Sequence, residues 1–129
     1  MIVGLGLDVA SVPRFADNLE RYGERFWDRI LTPLEREQLA GRRDRATALA
    51  GRFAAKEAAT KALGGPPEVT WHHIEVVRQH GGKPTLRWHG PALALVTERR
   101  IARCHLSITH DAGVAAAVVV LEADTEPLP

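Results

Sequence analysis

Three residues of this chain have the chemistry to hold a metal ion and a phosphate: Asp8, Glu57 and Lys61. Two hard carboxylates suit Mg²⁺, which takes few protein oxygens and completes its octahedron with water and phosphate. Ammonium groups and turn amides suit phosphate itself, and Lys61 and the Gly81-Gly82-Lys83-Pro84 turn supply them. A plainer reading stands beside this one. Glu57 and Lys61, four apart on a helix, make a solvated pair worth a few tenths of a kcal/mol, and Asp8 simply ends a strand. No Walker A, GxGxxG, HExxH or paired CxxC is present, and no spacing among the six histidines, His72-His73 included, resembles a zinc motif. Cys104 beside His105 reads as a small buried hydrophobe in a strand.

The element that must position Glu57 and Lys61 is Gly51–Gly64, GRFAAKEAATKALG. Alanine, lysine, glutamate and leucine make it helix, and Gly64 supplies a left-handed stop. At about 100° per residue, Phe53, Glu57 and Lys61 share one edge, flanked by Ala54, Ala58 and Ala62. An alanine-lined helix admits close neighbours, so it belongs at the centre of the fold. Met1–Asp8 reads as a strand of period two, with Gly4 and Gly6 on the face of Asp8 leaving room for a ligand or another backbone.

The remaining elements follow in order. Ser11 and Pro13 open a helix with Phe15, Leu19 and Tyr22 as its apolar stripe. Arg14, Arg21 and Arg25 form a row that Gly23 interrupts, either a solvated face or a docking surface. Thr32-Pro33-Leu34-Glu35 is a capping box, a sufficient structural task for Glu35. Asp44 or Thr47 caps the helix that runs into Gly51–Gly64. Val69–Arg78 is a strand beginning near Trp71, and the Gly81–Pro84 turn returns it as Thr85–Trp88. Gly90-Pro91 starts a short helix through Arg99. His105–Thr109 and Val114–Leu121 are strands joined by a polar turn at His110–Gly113. The run VAAAVVVL reads as a strand buried on both faces. Residues 1–122 make one domain, and 123–129 a frayed tail.

Composition narrows the function classes. A 129-residue chain with 45% hydrophobic and 26% charged residues is an ordinary soluble domain. Net charge +1 argues against a globally basic nucleic-acid binder. A lone cysteine excludes an internal disulfide framework. The start MIVGLGLDVA lacks a basic segment and meets Asp8 too early for a signal peptide, and no apolar run reaches a membrane span. A cytoplasmic address is expected.

The order GLGLDV, RILTPLE, GRFAAKEAATKALG, GGKP and HLSITH resembles the bacterial holo-acyl-carrier-protein synthases, the small 4′-phosphopantetheinyl transferases, over about residues 1–122. The resemblance implies an α+β fold with an antiparallel sheet packed on the central helix. It implies transfer of the phosphopantetheine arm of coenzyme A to a serine of apo acyl carrier protein. It also implies a homotrimer with each site between two subunits. It places Mg²⁺ on Asp8 and Glu57, with Lys61 on phosphate. Coenzyme contacts are implied for Lys61, Gly64, Gly82, Lys83, Pro84, Ser107 and His110. Arg14 and Arg21, and more weakly Arg25, would dock an acidic helix of the carrier. Glu57 would be ligand, base or both, and Glu35 is a second candidate base whose capping role competes. His105 also matches a family histidine, with no role assigned.

The chain departs from the family in a short Gly65-Pro66-Pro67 loop and in Trp88 and His89. Two functions from different classes remain: the transferase, and a non-catalytic coenzyme A or nucleotide-binding module on the same scaffold. Intact Asp8, Glu57 and Lys61, together with the arginine row, favour the enzyme.

Overall fold

A computed structural model describes residues 1–79 and 81–124. Its axis is the alanine-rich helix α4 (Arg45–Ala62), in which Ala54, Ala55, Ala58 and Ala59 are completely buried. Its alanine faces are covered, while the edge of Phe53, Glu57 and Lys61 stays partly open. Asp44 stands at its N-cap, but the carboxylate takes both hydrogen bonds of Arg42 instead of capping the helix amides. At the other end Gly64, with φ 88°, makes the expected left-handed stop, and its N–H donates to the Lys61 carbonyl at 2.9 Å.

One face of α4 carries the three-stranded antiparallel sheet in the order β1 (Ile2–Ser11), β5 (Val114–Ala123), β4 (Ile101–Asp111). Gly4 and Gly6 explain how close strand and helix come. A Cβ on Gly4 would lie 2.3 Å from the Ala62 carbonyl oxygen, and one on Gly6 1.7 Å from that of Ala58. The space beside Asp8 therefore receives a backbone. Strand β1 outruns the expected Met1–Asp8, because Val9, Ala10 and Ser11 continue the ladder against Ala116, Ala115 and Val114. Strand β4 likewise holds His110 and Asp111, and the turn shrinks to Ala112 and Gly113, both at positive φ. Ala123 belongs to β5, its N–H donating to the Met1 carbonyl, and the Asp124 N–H donates to the Arg100 carbonyl; the last five residues of the expected tail, 125–129, lie outside the described residues.

The expected burial of β5 on both faces is not what the fold shows. Ala115, Ala117, Val119 and Leu121 are buried against α4, while the alternate residues are only partly covered. On the same outer face Leu5, Leu7 and Val9 are 60–66% exposed.

The other elements close the core from the far side. Helices α1 (Val12–Tyr22) and α2 (Glu24–Ile30) are separated by Gly23 at φ 61°, which breaks the arginine row as expected. Of the predicted stripe of α1, Phe15 is buried and Leu19 half-buried, but Tyr22 is exposed. Helix α3 (Pro33–Leu39) begins with the complete Thr32–Glu35 capping box. The hairpin β2 (Ile74–Arg78) and β3 (Pro84–Trp88) forms a second sheet, followed by helix α5 (Gly90–Glu98). Strand β2 starts later than Val69. Residues Trp71–His73 form a 3₁₀ turn closed by His73, whose N–H donates to the Thr70 carbonyl and whose Nδ1 accepts the Thr70 N–H.

Candidate active site

The outer edge of α4 near its C-terminus meets β1. Lys61 Nζ donates to the Leu7 carbonyl and to Asp8 Oδ1, each at 3.0 Å. Lys61 thus crosses to the strand instead of pairing with Glu57 along the helix. The second oxygen of Asp8, Oδ2, is buried and has no hydrogen-bond partner. A buried carboxylate oxygen left bare is costly, and a cation or a proton donor arriving there recovers that cost. One turn back on the same edge, Glu57 Oε1 accepts the indole N–H of Trp71 at 2.8 Å. No described residue donates to Glu57 Oε2.

Beneath this edge lies a fully buried ion pair that sequence reasoning did not find. Lys56 and Glu35 are both 0% exposed and meet at 2.5 Å. Lys56 also donates to the carbonyls of Ile30 and Trp71, each at 2.8 Å. Burial pulls the Lys56 ammonium down from its usual range, with Glu35 opposing the shift. Glu35 Oε1 accepts from Thr32 N, and Oε2 from Val76 N. With both oxygens committed and no opening to solvent, Glu35 joins α3, α4 and β2; the capping role accounts for it, and we give it no proton transfer. Next to it Glu75 accepts from the Thr32 hydroxyl and from His89.

The opposite half of α4 holds a second anion-seeking cluster. Arg52 is 2% exposed, and its Nε and Nη2 have no partners. Burial pushes its pKa down to about 10. It lines a small cavity with Arg42, Arg78, Thr109 and His110, and Arg78 donates to the Gly82 carbonyl at 3.2 Å. The hairpin turn Gly82–Pro84 and His110 therefore belong with Arg52, on the β4 side. Asp8 lies on β1, across β5. Around α4, Arg52 and Glu57 stand about 140° apart at about 100° per residue. Ser107 and His105 lie on the outer sheet face with Leu5 and Leu7, in register across Val118 and Val120. His105 bonds Glu122 there. A single chain brings Asp8, Lys61 and Glu57 to one edge, and Arg52, His110 and Gly82 to another. Gly64 ends the first of these, exposed and in open space, where an added Cβ would meet nothing within 4 Å.

Arg14 and Arg21 on α1 and Arg25 on α2 are exposed, and no described carboxylate forms an ion pair with them. Beside Arg14 opens a groove lined by Phe15, Phe26, Phe53 and Trp71. Cys104 is half-buried, its thiol pushed up to about 11 by burial, which makes it inert. Among the described residues no group of three or more His, Cys, Asp or Glu converges on a metal position. A cation at Asp8 and Glu57 would draw its remaining ligands from water and phosphate.

The family model of the 4′-phosphopantetheinyl transferase superfamily matches residues 4–119, and the chain belongs to that superfamily. Within it, the chain is 49% identical over 125 residues to a holo-[acyl-carrier-protein] synthase of Anaeromyxobacter dehalogenans, covering 95% of this chain and 97% of that one. It is 46% identical over 122 residues to the synthase of Beutenbergia cavernae, covering 95% and 99%. The fold superposes on the holo-(acyl-carrier-protein) synthase of Bacillus anthracis in complex with CoA (3′,5′-ADP), with TM-score 0.80, 38% identity and coverage of 96% and 99%. The Helicobacter pylori synthase in complex with coenzyme A gives TM-score 0.79 at 29% identity, covering 92% and 99%.

Proposed function

We propose that this chain transfers the 4′-phosphopantetheine arm of coenzyme A to a serine of an apo acyl carrier protein, giving holo carrier protein and 3′,5′-ADP. The observation that carries the chemistry is the bare, buried Oδ2 of Asp8 beside Lys61, on the edge that Glu57 also occupies. Asp8 and Glu57 would hold Mg²⁺; when bound, it neutralises charge on the diphosphate. Such a transfer depends on charge stabilisation and alignment more than on covalent chemistry. The serine Oγ attacks the β-phosphorus, the bond to the bridging oxygen breaks, and 3′,5′-ADP departs. The serine proton passes to the Glu57 carboxylate or to a water beside it, and Lys61 exchanges Asp8 for the developing phosphate charge.

Arg52, with Arg78, His110 and the Gly82–Pro84 turn, would take a further phosphate of the coenzyme, supported by the unpaired Nε and Nη2. Both clusters serve one coenzyme if copies associate through the apolar outer face of β1 and β5. That reading favours the homotrimer with sites between subunits, and the 60–66% exposure of Leu5, Leu7 and Val9 supports such an interface. Arg14 and Arg21 would receive the acidic carrier. No helix among the described residues is long and apolar enough to cross a membrane, and we place the reaction in the cytoplasm.

Incubation with coenzyme A, Mg²⁺ and apo carrier protein should add the mass of one phosphopantetheine arm to the carrier, and chelation of the metal should abolish the gain. An unchanged carrier mass, with coenzyme A still bound, would instead identify a binding module. Light scattering should give three chain masses, and Leu7→Arg should dissociate them.

A further inference from the structure

We infer that Trp71 is a positioning residue that fixes the Glu57 carboxylate through its indole N–H. The inference rests on the reading of Asp8 and Glu57 as metal ligands. Glu57 is half-buried, and the terminal torsion of a glutamate is broad, so packing alone does not set where its oxygens lie. The indole nitrogen is a donor only. Its bond to Oε1, at 2.8 Å, commits one oxygen and leaves the other, Oε2, for the cation.

Trp71 can impose this geometry because it is itself held on several sides. Its carbonyl accepts from the buried Lys56 ammonium at 2.8 Å, and that ammonium is anchored by Glu35 and the Ile30 carbonyl. The Thr70–His73 bonds close the backbone turn around it. Its ring packs on Phe53 at 5.7 Å between centroids, one helical turn before Glu57, and the Arg29 guanidinium lies 5.8 Å from the ring centre. The buried Lys56–Glu35 pair and the outer edge of α4 are thereby joined through one residue, by its carbonyl on one side and its indole on the other. Partners that orient a ligating carboxylate without touching the metal change affinity by about 10- to 100-fold.

Trp71→Phe keeps the ring against Phe53 and Arg29 and removes only the donor. Mn²⁺ binding in the presence of 3′,5′-ADP, followed by electron paramagnetic resonance, should weaken about tenfold. The kcat should fall by a similar factor, with the KM for carrier protein unchanged. In a Glu57→Ala background the same substitution should leave Mn²⁺ affinity where Glu57→Ala put it. Unchanged Mn²⁺ affinity in Trp71→Phe, or an equal loss in the Glu57→Ala background, overturns the positioning role while leaving the metal reading intact. A wild type that binds no Mn²⁺ overturns both. Should Trp71→Phe not fold, the wild-type indole ¹⁵N–¹H resonances decide. That of Trp71 should move when Mg²⁺ and 3′,5′-ADP are added, while those of Trp27 and Trp88 stay, and a stationary Trp71 signal refutes the inference.

Discussion

The two cationic regions of α4 are built on opposite plans. Near the C-terminus, Lys61 is more than half exposed and already satisfied, bonded to Asp8 and to the Leu7 carbonyl. Five residues before Glu57, Arg52 is 2% exposed and lacks partners for two nitrogens, and its pKa has dropped to about 10. A satisfied lysine gives up one partner for another with little net change. An unsatisfied buried guanidinium costs stability until an anion arrives, about 1–3 kcal/mol for an unmet buried polar group. On the proposed function, the first region does chemistry and the second holds the coenzyme at the expense of the resting fold.

That contrast is most severely tested at Glu57. Glu57→Gln should lower turnover by about two to three orders of magnitude, as loss of a group stabilising transition-state charge does, with the unfolding midpoint nearly unmoved in calorimetry. Equal losses in both would make Glu57 a structural residue. At the other region Arg52→Met should do something different in kind. It should raise the KM for coenzyme A about tenfold and also raise the unfolding midpoint by a few degrees, because the unmet charge is gone. A fall in stability would show that Arg52 is held by its surroundings after all. Mixing the two variants separates a shared site from a self-contained one. Below the KM for coenzyme A, randomly mixed trimers should recover about a quarter of wild-type activity if each site joins Glu57 of one copy to Arg52 of another. No recovery would confine both regions to one chain.

Smaller effects sharpen the outer boundary of the comparison. Arg14→Ala with Arg21→Ala should raise the KM for carrier protein several-fold and leave that for coenzyme A alone. Added salt should bring the wild type toward the double variant, since exposed charges steer over a Debye length of about 8 Å. Lys61→Ala should weaken coenzyme A instead. The smallest effect belongs to Glu75. Burial works to raise its pKa, but hydrogen bonds from Thr32 and His89 outweigh it and hold the carboxyl below the usual 4.5. A lowered folded pKa stabilises the fold above the unfolded value, and the gain vanishes as pH falls through the folded one. The wild type should therefore melt a few degrees above Glu75→Gln at pH 7, the gap narrowing as the pH falls below 4.5 in melts followed by circular dichroism.

Much of this arrangement was legible in the residues. Alanine at every turn of α4 announced a central helix, Gly64 its end, and Thr32 with Glu35 the start of α3. Gly4 and Gly6 announced the close approach beside Asp8, though not that a helix backbone would fill it. Partners across the fold were not legible. Helical spacing paired Lys61 with Glu57, whereas the strand carbonyl and Asp8 lie within its reach and win it. Nothing in the spacing singled out Arg52 or Lys56. The signal was there nonetheless: a helix alanine-rich on all sides has no polar stripe, so cations on it are buried and must have partners. Trp71 carries no periodicity that reveals a donor. The run VAAAVVVL shows apolar residues on both faces of β5, but a pattern cannot say whether the same chain covers them.

The pairing of β1 has a consequence for how the protein comes to exist. Among the described residues β1 has a single ladder partner, β5, and its register joins Ile2 to Glu122 and Asp8 to Ala117. Closing a loop of that length is entropically expensive and slow compared with local hairpins and helices. During synthesis the helices and the β2–β3 hairpin emerge with their neighbours at hand, while the ladder of β1 needs a strand made about a hundred residues later. Asp8 and its ladder partner Ala117 are therefore separated by 109 positions, and that pair can close only after translation has passed Ala117.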